Sequence, residues 1–276
     1  MREDCPCFCL RLEEVTHRYG PSAPALAGLS LGIEPGEKVA LLGVNGSGKS
    51  TLLKILGGLL HPDEGRFLAF GEEVTAAKMN SEAFSHWLHR KIGFVFENSD
   101  AQLFCPTVRD EILFGPLQMG LTLSEAQRRM DDVARLMGVE ELLDRSPYLL
   151  SAGQKKRVAL ASVLSIGPEV LLFDEPTNGL DPRSQHGLVH LIGALNRGGK
   201  TVVTATHDLS ILPDVADRVL VLNSGHMVGF EGTPAELLGS PDLLLELELI
   251  HEHAYARMVD ARHVPHAPLW GGTSTT

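Results

Sequence analysis

The stretch GVNGSGKST, residues 43 to 51, sets glycines beside one ammonium and a run of hydroxyls. Gly43, Gly46 and Gly48 would let backbone N–H groups converge on oxyanions, with Asn45, Ser47 and Thr51 in the same cradle. Lys49 would reach the β- and γ-phosphates of a nucleotide, and Ser50 would ligate magnesium. A second signal is VLLFDE, residues 170 to 175. Here an apolar strand delivers Asp174 to its C-terminal end, where doubly wound sheets hold ligands. Asp174 suits a magnesium ion held through water. Glu175, turned another way by strand alternation, suits a base that orients attacking water. The plain structural readings are a flexible glycine turn and an acidic loop start. A strand before the glycines, a helix after them and both motifs in one chain favour a nucleoside triphosphate with magnesium.

A third carboxylate poses a question. GFVFENSD (93 to 100) begins as a buried strand and stops at Glu97, which either leaves the core for a solvated loop or points into the site. The elements that must hold these groups follow from periodicity. Residues 10 to 19 and 26 to 33 alternate as short strands around the turn GPSAP, and VALL (39 to 42) is a buried strand leading to a helix over 49–59. Helical spacing recurs over 122–138 and 154–166, punctuated by Pro147 and Pro168. VLLFDE, TVVTATH (201 to 207) and RVLVLN (218 to 223) are continuous apolar strands separated by helix-length segments. That pattern predicts a parallel sheet covered on both faces. The helix-rich stretch from about 100 to 165 interrupts it and is expected as a separate lobe.

YLLSAGQKKRVALASVL (148 to 164) shortly precedes VLLFDEPTNGLD, with TATHD later. Together with the glycine run upstream, these motifs stand in the order found in ATP-binding cassette (ABC) ATPases, which residues 10–240 resemble. The resemblance implies an α/β fold: a P-loop NTPase (RecA-like) core, an N-terminal antiparallel β subdomain and an inserted α-helical subdomain at about 100–165. Residues 1–9 would precede this ABC ATPase domain as a disordered segment. Residues 241–276 would follow as a C-terminal helix and flexible tail. The implied activity is ATP hydrolysis with magnesium by a cassette dimer, peripheral to the cytoplasmic face of the inner membrane. The implied partners are a second ATPase subunit, either a copy or a paralogue, and integral membrane transporter subunits. The segment DAQLFCPTVRDEILFGP most resembles ATPases of energy-coupling-factor importers for cobalt or nickel.

Carried over residue by residue, Tyr19 matches the aromatic that stacks on adenine. Ser151, Gly153 and Gln154 match the signature loop, which contacts the γ-phosphate held by the opposite subunit. Asp181 matches the loop that communicates across the dimer, with a helix N-cap as its alternative. His207 matches the switch histidine at the γ-phosphate, beside Glu175 as base and Lys49. Glu97 occupies a position usually held by glutamine, which links magnesium and attacking water to the membrane partner, so the implied magnesium set is Ser50, Glu97 and Asp174. Two departures stand out: the carboxylate at 97, and Ala152 in place of a signature glycine, tolerable unless that backbone needs positive φ. Leu103, Phe104, Cys105, Val108, Ile112 and Phe114 are too apolar for an ordinary exposed loop. They are either lobe core or, by the resemblance, the floor of a groove receiving a helix from the membrane subunit.

Composition removes other classes. A formal net charge of −11 opposes a nucleic-acid partner, which needs a basic surface. No apolar run approaches transmembrane length, and MREDCPCFCLRLEE lacks a secretory h-region, so the protein is expected to stay where it is made. Cys5, Cys7, Cys9 and Cys105 include the tight cluster CPCFC, ill-spaced for paired zinc knuckles and read as free thiols of a ragged N-terminus. His251, His253, His263 and His266 lack the i, i+4 spacing of a helical metal pair. One alternative is a soluble ABC ATPase of iron–sulfur assembly, encouraged by CPCFC. Another is a slow or non-hydrolysing ATP-dependent switch, encouraged by Glu97. DNA-maintenance cassettes need a coiled-coil insert too long for the interval between phosphate loop and signature loop, and ribosome-associated ones usually carry two cassettes.

Overall fold

The computed structural model describes residues 8–21 and 23–255. The chain runs β1 (Leu10–His17), β2 (Leu26–Ile33), β3 (Lys38–Leu42), α1 (Lys49–Leu56), β4 (Glu64–Ala69), β5 (Glu72–Glu73), α2 (Ala76–Met79), α3 (Glu82–Lys91) and β6 (Ile92–Val95). It continues through α4 (Val108–Gln118), α5 (Leu123–Met137), α6 (Ala152–Leu164), β7 (Val170–Asp174), α7 (Pro182–Arg197) and β8 (Thr201–Ala205). The last elements are α8 (Leu212–Val215), β9 (Arg218–Leu222), β10 (Val228–Gly232), α9 (Pro234–Leu238) and α10 (Pro241–Glu246).

β7 and β8 are buried at every position, which requires cover on both faces of their sheet. They lie within a six-stranded sheet of order β10-β9-β3-β8-β7-β6. It is parallel from β9 to β6, with β10 antiparallel at one edge. Against one face, Leu53 and Leu56 of α1 share a core with Leu41, Leu172 and Val203. Against the other, Leu160 of α6 and Ile192 of α7 pack with Leu171, Phe173 and Val202. A second sheet, β2-β1-β4-β5, is antiparallel throughout and adds Leu10, Leu12 and Phe67 to the α1 side. The parallel strands therefore end together on one side, where the loops after β3, β6, β7 and β8 meet.

Helix ends are fixed by local chemistry. Thr122 and Glu125 form a reciprocal capping box at the start of α5, and Gly138 at φ 59° closes its other end. The buried stripe of α5, including Met130 and Ala134, joins Ile112 of α4 and Leu160 of α6 in one cluster with Val95 and Phe173 of the sheet. The helix-rich segment is thus joined to the sheet by a shared core rather than by a linker.

Several expectations need correction. Cys9 is not part of a loose leader: it is buried, its N–H donates to Ile33 O at 2.9 Å and its Sγ lies 3.3 Å from the same carbonyl. Cys5 and Cys7 lie outside the described residues. The helix after the glycine run stops at Leu56, before Gly57 and a left-handed Gly58 at φ 70°. β4 and α3 went unassigned in the sequence pattern, since few of their positions are buried. α10 is shorter than LLLELELI suggests, because Glu248 at φ 58° breaks the helix. His263 and His266 lie outside the described residues.

Candidate active site

The loop after β3 needs its glycines. Gly43, Gly46 and Gly48 have φ of 143°, 85° and 108°, a region that side-chain-bearing residues rarely adopt. A Cβ on Gly43 would collide with the Leu222 carbonyl oxygen and the Ser47 side chain, and one on Gly48 with the Ala25 carbonyl oxygen. Lys49 opens α1 at only 6% exposure, and its Nζ donates to the loop's own carbonyls, Gly43 O at 2.7 Å and Val44 O at 3.2 Å. Burial pushes the Lys49 pKa down, while Glu175, Asp174 and Glu97 pull it back up. Ser47 Oγ is buried with no hydrogen-bond partner. A glycine cradle in a backbone conformation other residues rarely adopt, closed around a desolvated ammonium, fits a polyphosphate.

β7 carries the acidic half. Ser50 Oγ donates to Asp174 Oδ1 at 2.9 Å, so two candidate magnesium ligands from different elements already touch. Asp174 is buried, and burial raises its pKa; the Ser50 hydrogen bond opposes that rise, whereas Glu97 and Glu175 add to it. Glu175 sits at φ 42°, a conformation strained for any residue with a Cβ. Its N–H donates to Ala205 O at 2.9 Å. That turn takes its carboxylate out of the strand's alternation and onto His207, whose Nδ1 lies 2.9 Å from Glu175 Oε2. A carboxylate accepts only, so the His207 proton is on Nδ1 and Nε2 is the atom left to face a nucleotide.

Glu97 faces this site. Its Oε1 accepts from Asn178 Nδ2 at 3.0 Å. It also lines an open cavity of about 410 Å³ shared with Tyr19, Lys49, Ser50, Glu175 and His207. β6 itself stops at Val95, and Glu97 lies in the loop just past the strand end, where it lines the cavity. Asn45, Gly46, Gly48 and Thr51 line the same space. Tyr19 stands at its mouth with an exposed ring, its hydroxyl hydrogen-bonded to Thr51 Oγ1 at 3.2 Å and its ring in edge contact with His17. An exposed aromatic face at that point suits a stacked base.

The remaining candidates lie elsewhere. Ser151, Gly153 and Gln154 do not line the cavity of their own chain. Ser151 Oγ accepts the Gln154 N–H at 3.4 Å and Gln154 Oε1 accepts the Ser151 N–H at 2.9 Å, a capping box for α6. Ala152 is the first helical residue and has no positive φ, so its methyl is accommodated. Asp181 is the N-cap of α7 and accepts from Ser184 Oγ and from the Arg183 and Ser184 amides. Those bonds, led by the Ser184 hydroxyl, hold its carboxyl below the usual range. Two residues at the site went unnoticed in the sequence, Asn178 and Lys156. Lys156 was signalled by a charge on the buried stripe of α6, whereas Asn178 had no local signal.

Among the described residues no three His, Cys, Asp or Glu side chains form a self-sufficient metal centre. The contact between Ser50 and Asp174, with Glu97 on the same cavity, instead fits magnesium. That ion takes one or two carboxylates and completes its shell with substrate phosphates and water.

Residues 26–178 match the family model described as ABC transporter. The nickel import ATP-binding protein NikO of Rhodobacter capsulatus is 46% identical over 249 residues, covering 89% of this chain and 96% of NikO. The energy-coupling factor transporter ATP-binding protein EcfA of Methanothermobacter thermautotrophicus is 40% identical over 240 residues, 87% of this chain and 76% of EcfA. Among solved structures, CbiO1 of Clostridium perfringens, part of the ABC transporter complex CbiONQ, superposes with a TM-score of 0.75 at 35% identity, covering 91% and 99% of the two chains. The cassette MJ0796, solved as a dimer in a post-hydrolysis state bound to ADP and Pi, gives 0.73 at 29% identity, covering 82% and 98%. With the phosphate cradle, the acidic strand end and these relatives in agreement, the chain belongs to the ABC transporter family, as one of its ATP-binding, ATP-hydrolysing subunits.

Proposed function

We propose that this chain is the ATPase subunit of an energy-coupling-factor importer for nickel or cobalt ions. It would work as a dimer, peripheral to the cytoplasmic face of the inner membrane, with integral membrane subunits as partners. One observation carries the chemistry: Lys49, the Ser50–Asp174 contact and the Glu175–His207 pair converge on one cavity. The cargo assignment rests on the likeness to NikO, EcfA and CbiO1. No helix among the described residues is long and apolar enough to cross a membrane, so the path for the ion would belong to other chains.

In this reading Tyr19 stacks on adenine, and Lys49 exchanges its loop carbonyls for the β- and γ-phosphates. Glu175 takes a proton from the attacking water while His207 Nδ1–H holds its carboxylate in place. Ser151, Gly153 and Gln154 of a second subunit complete the site, and Asp181 lies on the loop between the two sites. Ser50, Asp174 and Glu97 would hold magnesium, which neutralises charge on the β- and γ-oxygens. The test is purification from detergent-solubilised membranes together with nickel and cobalt uptake by cells lacking the gene. Recovery of membrane transporter subunits and loss of uptake are expected. Recovery of the chain free of membrane proteins, with uptake intact, would refute the assignment.

The carboxylate at 97 carries its own prediction. At about 6 Å and an effective dielectric of about 20, two carboxylates repel by about 3 kcal/mol, and a γ-phosphate adds to the repulsion when magnesium is withheld. ATP affinity should therefore depend steeply on magnesium. In Glu97→Gln the gap between ATP affinity with magnesium and in EDTA should shrink by about tenfold or more, read by titration of a fluorescent nucleotide analogue. Equal gaps in the two proteins would remove Glu97 from the magnesium site.

A further inference from the structure

Helices α5, α6 and α7 border a cavity of about 450 Å³ that shares no lining residue with the nucleotide cavity. Met137 of α5, Leu160 of α6 and Leu188 of α7 line it with buried apolar side chains, and Leu136 lines it while exposed to solvent. Lys156, Arg157 and Arg183 line it too. None of the described residues that line it is acidic, in a chain whose formal net charge is −11.

The three cations are not equivalent. Lys156 is committed elsewhere, since its Nζ donates to Phe96 O at 3.1 Å and Glu97 O at 2.9 Å. Arg157 is held by Nη1, which donates to Met137 O at 3.3 Å and Gly138 O at 3.0 Å. Its Nε and Nη2 have no partner among the described residues. Arg183 lies in the first turn of α7, and its guanidinium has no hydrogen bond or ion pair among the described residues. The neighbouring Asp181 does not serve it, because that carboxylate accepts from the Arg183 and Ser184 amides and from Ser184 Oγ.

This combination is that of a small-molecule site: mostly apolar walls, a volume within about 300–1,000 Å³ and a few polar groups that fix orientation. A guanidinium matches a carboxylate or phosphate through parallel N–H bonds. A small inorganic anion would leave the apolar wall against water, and a hydrocarbon would leave both arginines unpaired. A molecule with an anionic head and an apolar body satisfies both. We propose that the cavity binds an amphipathic anion, a carboxylate or phosphate monoester on a short apolar chain or ring, with its head on Arg157 and Arg183 and its body on Met137, Leu160 and Leu188. α6 begins at Ser151 and α7 follows Asp181. Under the ATPase reading above, such a molecule would grip the two helices that support the signature loop and the loop between sites, a place for regulation. Binding itself does not depend on that reading.

The experiment titrates the full chain with decanoate, below the concentration at which it forms micelles, by calorimetry. One decanoate per chain is expected, with acetate and decylammonium each at least about tenfold weaker, since the first lacks the apolar body and the second carries the wrong charge. Arg183→Gln should weaken decanoate about tenfold, the loss of a charge-assisted hydrogen bond. Leu136→Glu should weaken it by a similar factor through like charge, while Leu136→Lys stays within about threefold of the parent. Both positions are exposed, so melting temperatures should match the parent. No binding up to a few millimolar, or equal binding of decanoate and decylammonium, would overturn the proposal. Affinity that ignores both Arg183→Gln and Leu136→Glu would place the anion elsewhere and overturn it as well. Binding to phosphatidylglycerol vesicles without binding of free decanoate would overturn it in favour of a membrane lipid. A fluorescent ATP analogue keeps the two ideas apart: failure to bind it refutes the ATPase reading and leaves the decanoate result standing.

Discussion

Glu175→Gln is expected to lower ATP hydrolysis by about 10²–10⁴-fold while ATP binding stays within a few-fold of the parent, and to accumulate as an ATP-bound dimer. The substitution is isosteric, so the left-handed backbone at φ 42° and the N–H bond to Ala205 survive. The amide oxygen still accepts from His207 Nδ1. What disappears is the proton acceptor for the attacking water. The groups that hold the phosphates, Lys49 and the loop from Gly43 to Thr51, come from another strand end and do not touch the Glu175 carboxylate by hydrogen bond. Binding and chemistry are therefore separable by one atom pair. Size exclusion in saturating ATP and magnesium reads the dimer, and a fluorescent nucleotide titration confirms occupancy. A variant that binds ATP yet elutes as a monomer would eliminate the two-cassette site, and one that hydrolyses at the parental rate would eliminate Glu175 as the base.

The groups that carry this prediction were visible in the sequence because their chemistry is local. A phosphate cradle needs glycines at positive φ within a few residues of a lysine and a serine, and that need is written as GVNGSGKST. An acidic pair at the end of an apolar strand is likewise a local pattern. Glu97 was half legible: the sequence showed a strand stopping on a carboxylate, but its direction depends on Asn178, 81 residues away in the chain. Lys156 was harder still, since its partners are backbone carbonyls that carry no side-chain signature. Cys9 is a free thiol, as its spacing suggests, but its ordered placement rests on a backbone bond to Ile33 at the end of β2, a partner 24 residues away that the local pattern does not name. The parallel sheet itself followed from apolar runs separated by helices, whereas its strand order, β9-β3-β8-β7-β6, has no local signature. β4, buried only in its Phe67–Ala69 half, and the mostly half-buried α3 left no periodic trace, and their positions are fixed by partners in three dimensions.

Leu103 and Phe104 show the same limit, and they make the second large prediction. In the sequence they are two adjacent apolar residues with one explanation, docking floor or core. In the structure they part. Leu103 is 4% exposed within the cluster of Val108, Ile112 and Met130, whereas Phe104 is 58% exposed and meets the exposed Phe114 edge-on at 5.0 Å. The backbone between them is held by Glu111, whose Oε2 accepts the N–H groups of Phe104 and Cys105 at 2.9 and 2.8 Å. Leu103→Asp should thus lose the burial of a leucine and desolvate a carboxylate, at a cost of about 3–5 kcal/mol. Against a total stability of about 5–15 kcal/mol, that is enough to shift or abolish cooperative melting. Phe104→Asp should cost under about 1 kcal/mol, because the ring is solvated and Glu111 keeps the loop in place. Basal ATP hydrolysis by the isolated subunit should persist in Phe104→Asp, while co-purification with membrane subunits fails. A double substitution would confuse the two effects, so the variants must be made singly. Early melting of Phe104→Asp would make its ring part of the core, and an intact membrane complex with Phe104→Asp would move the docking surface away from the Phe104–Phe114 pair.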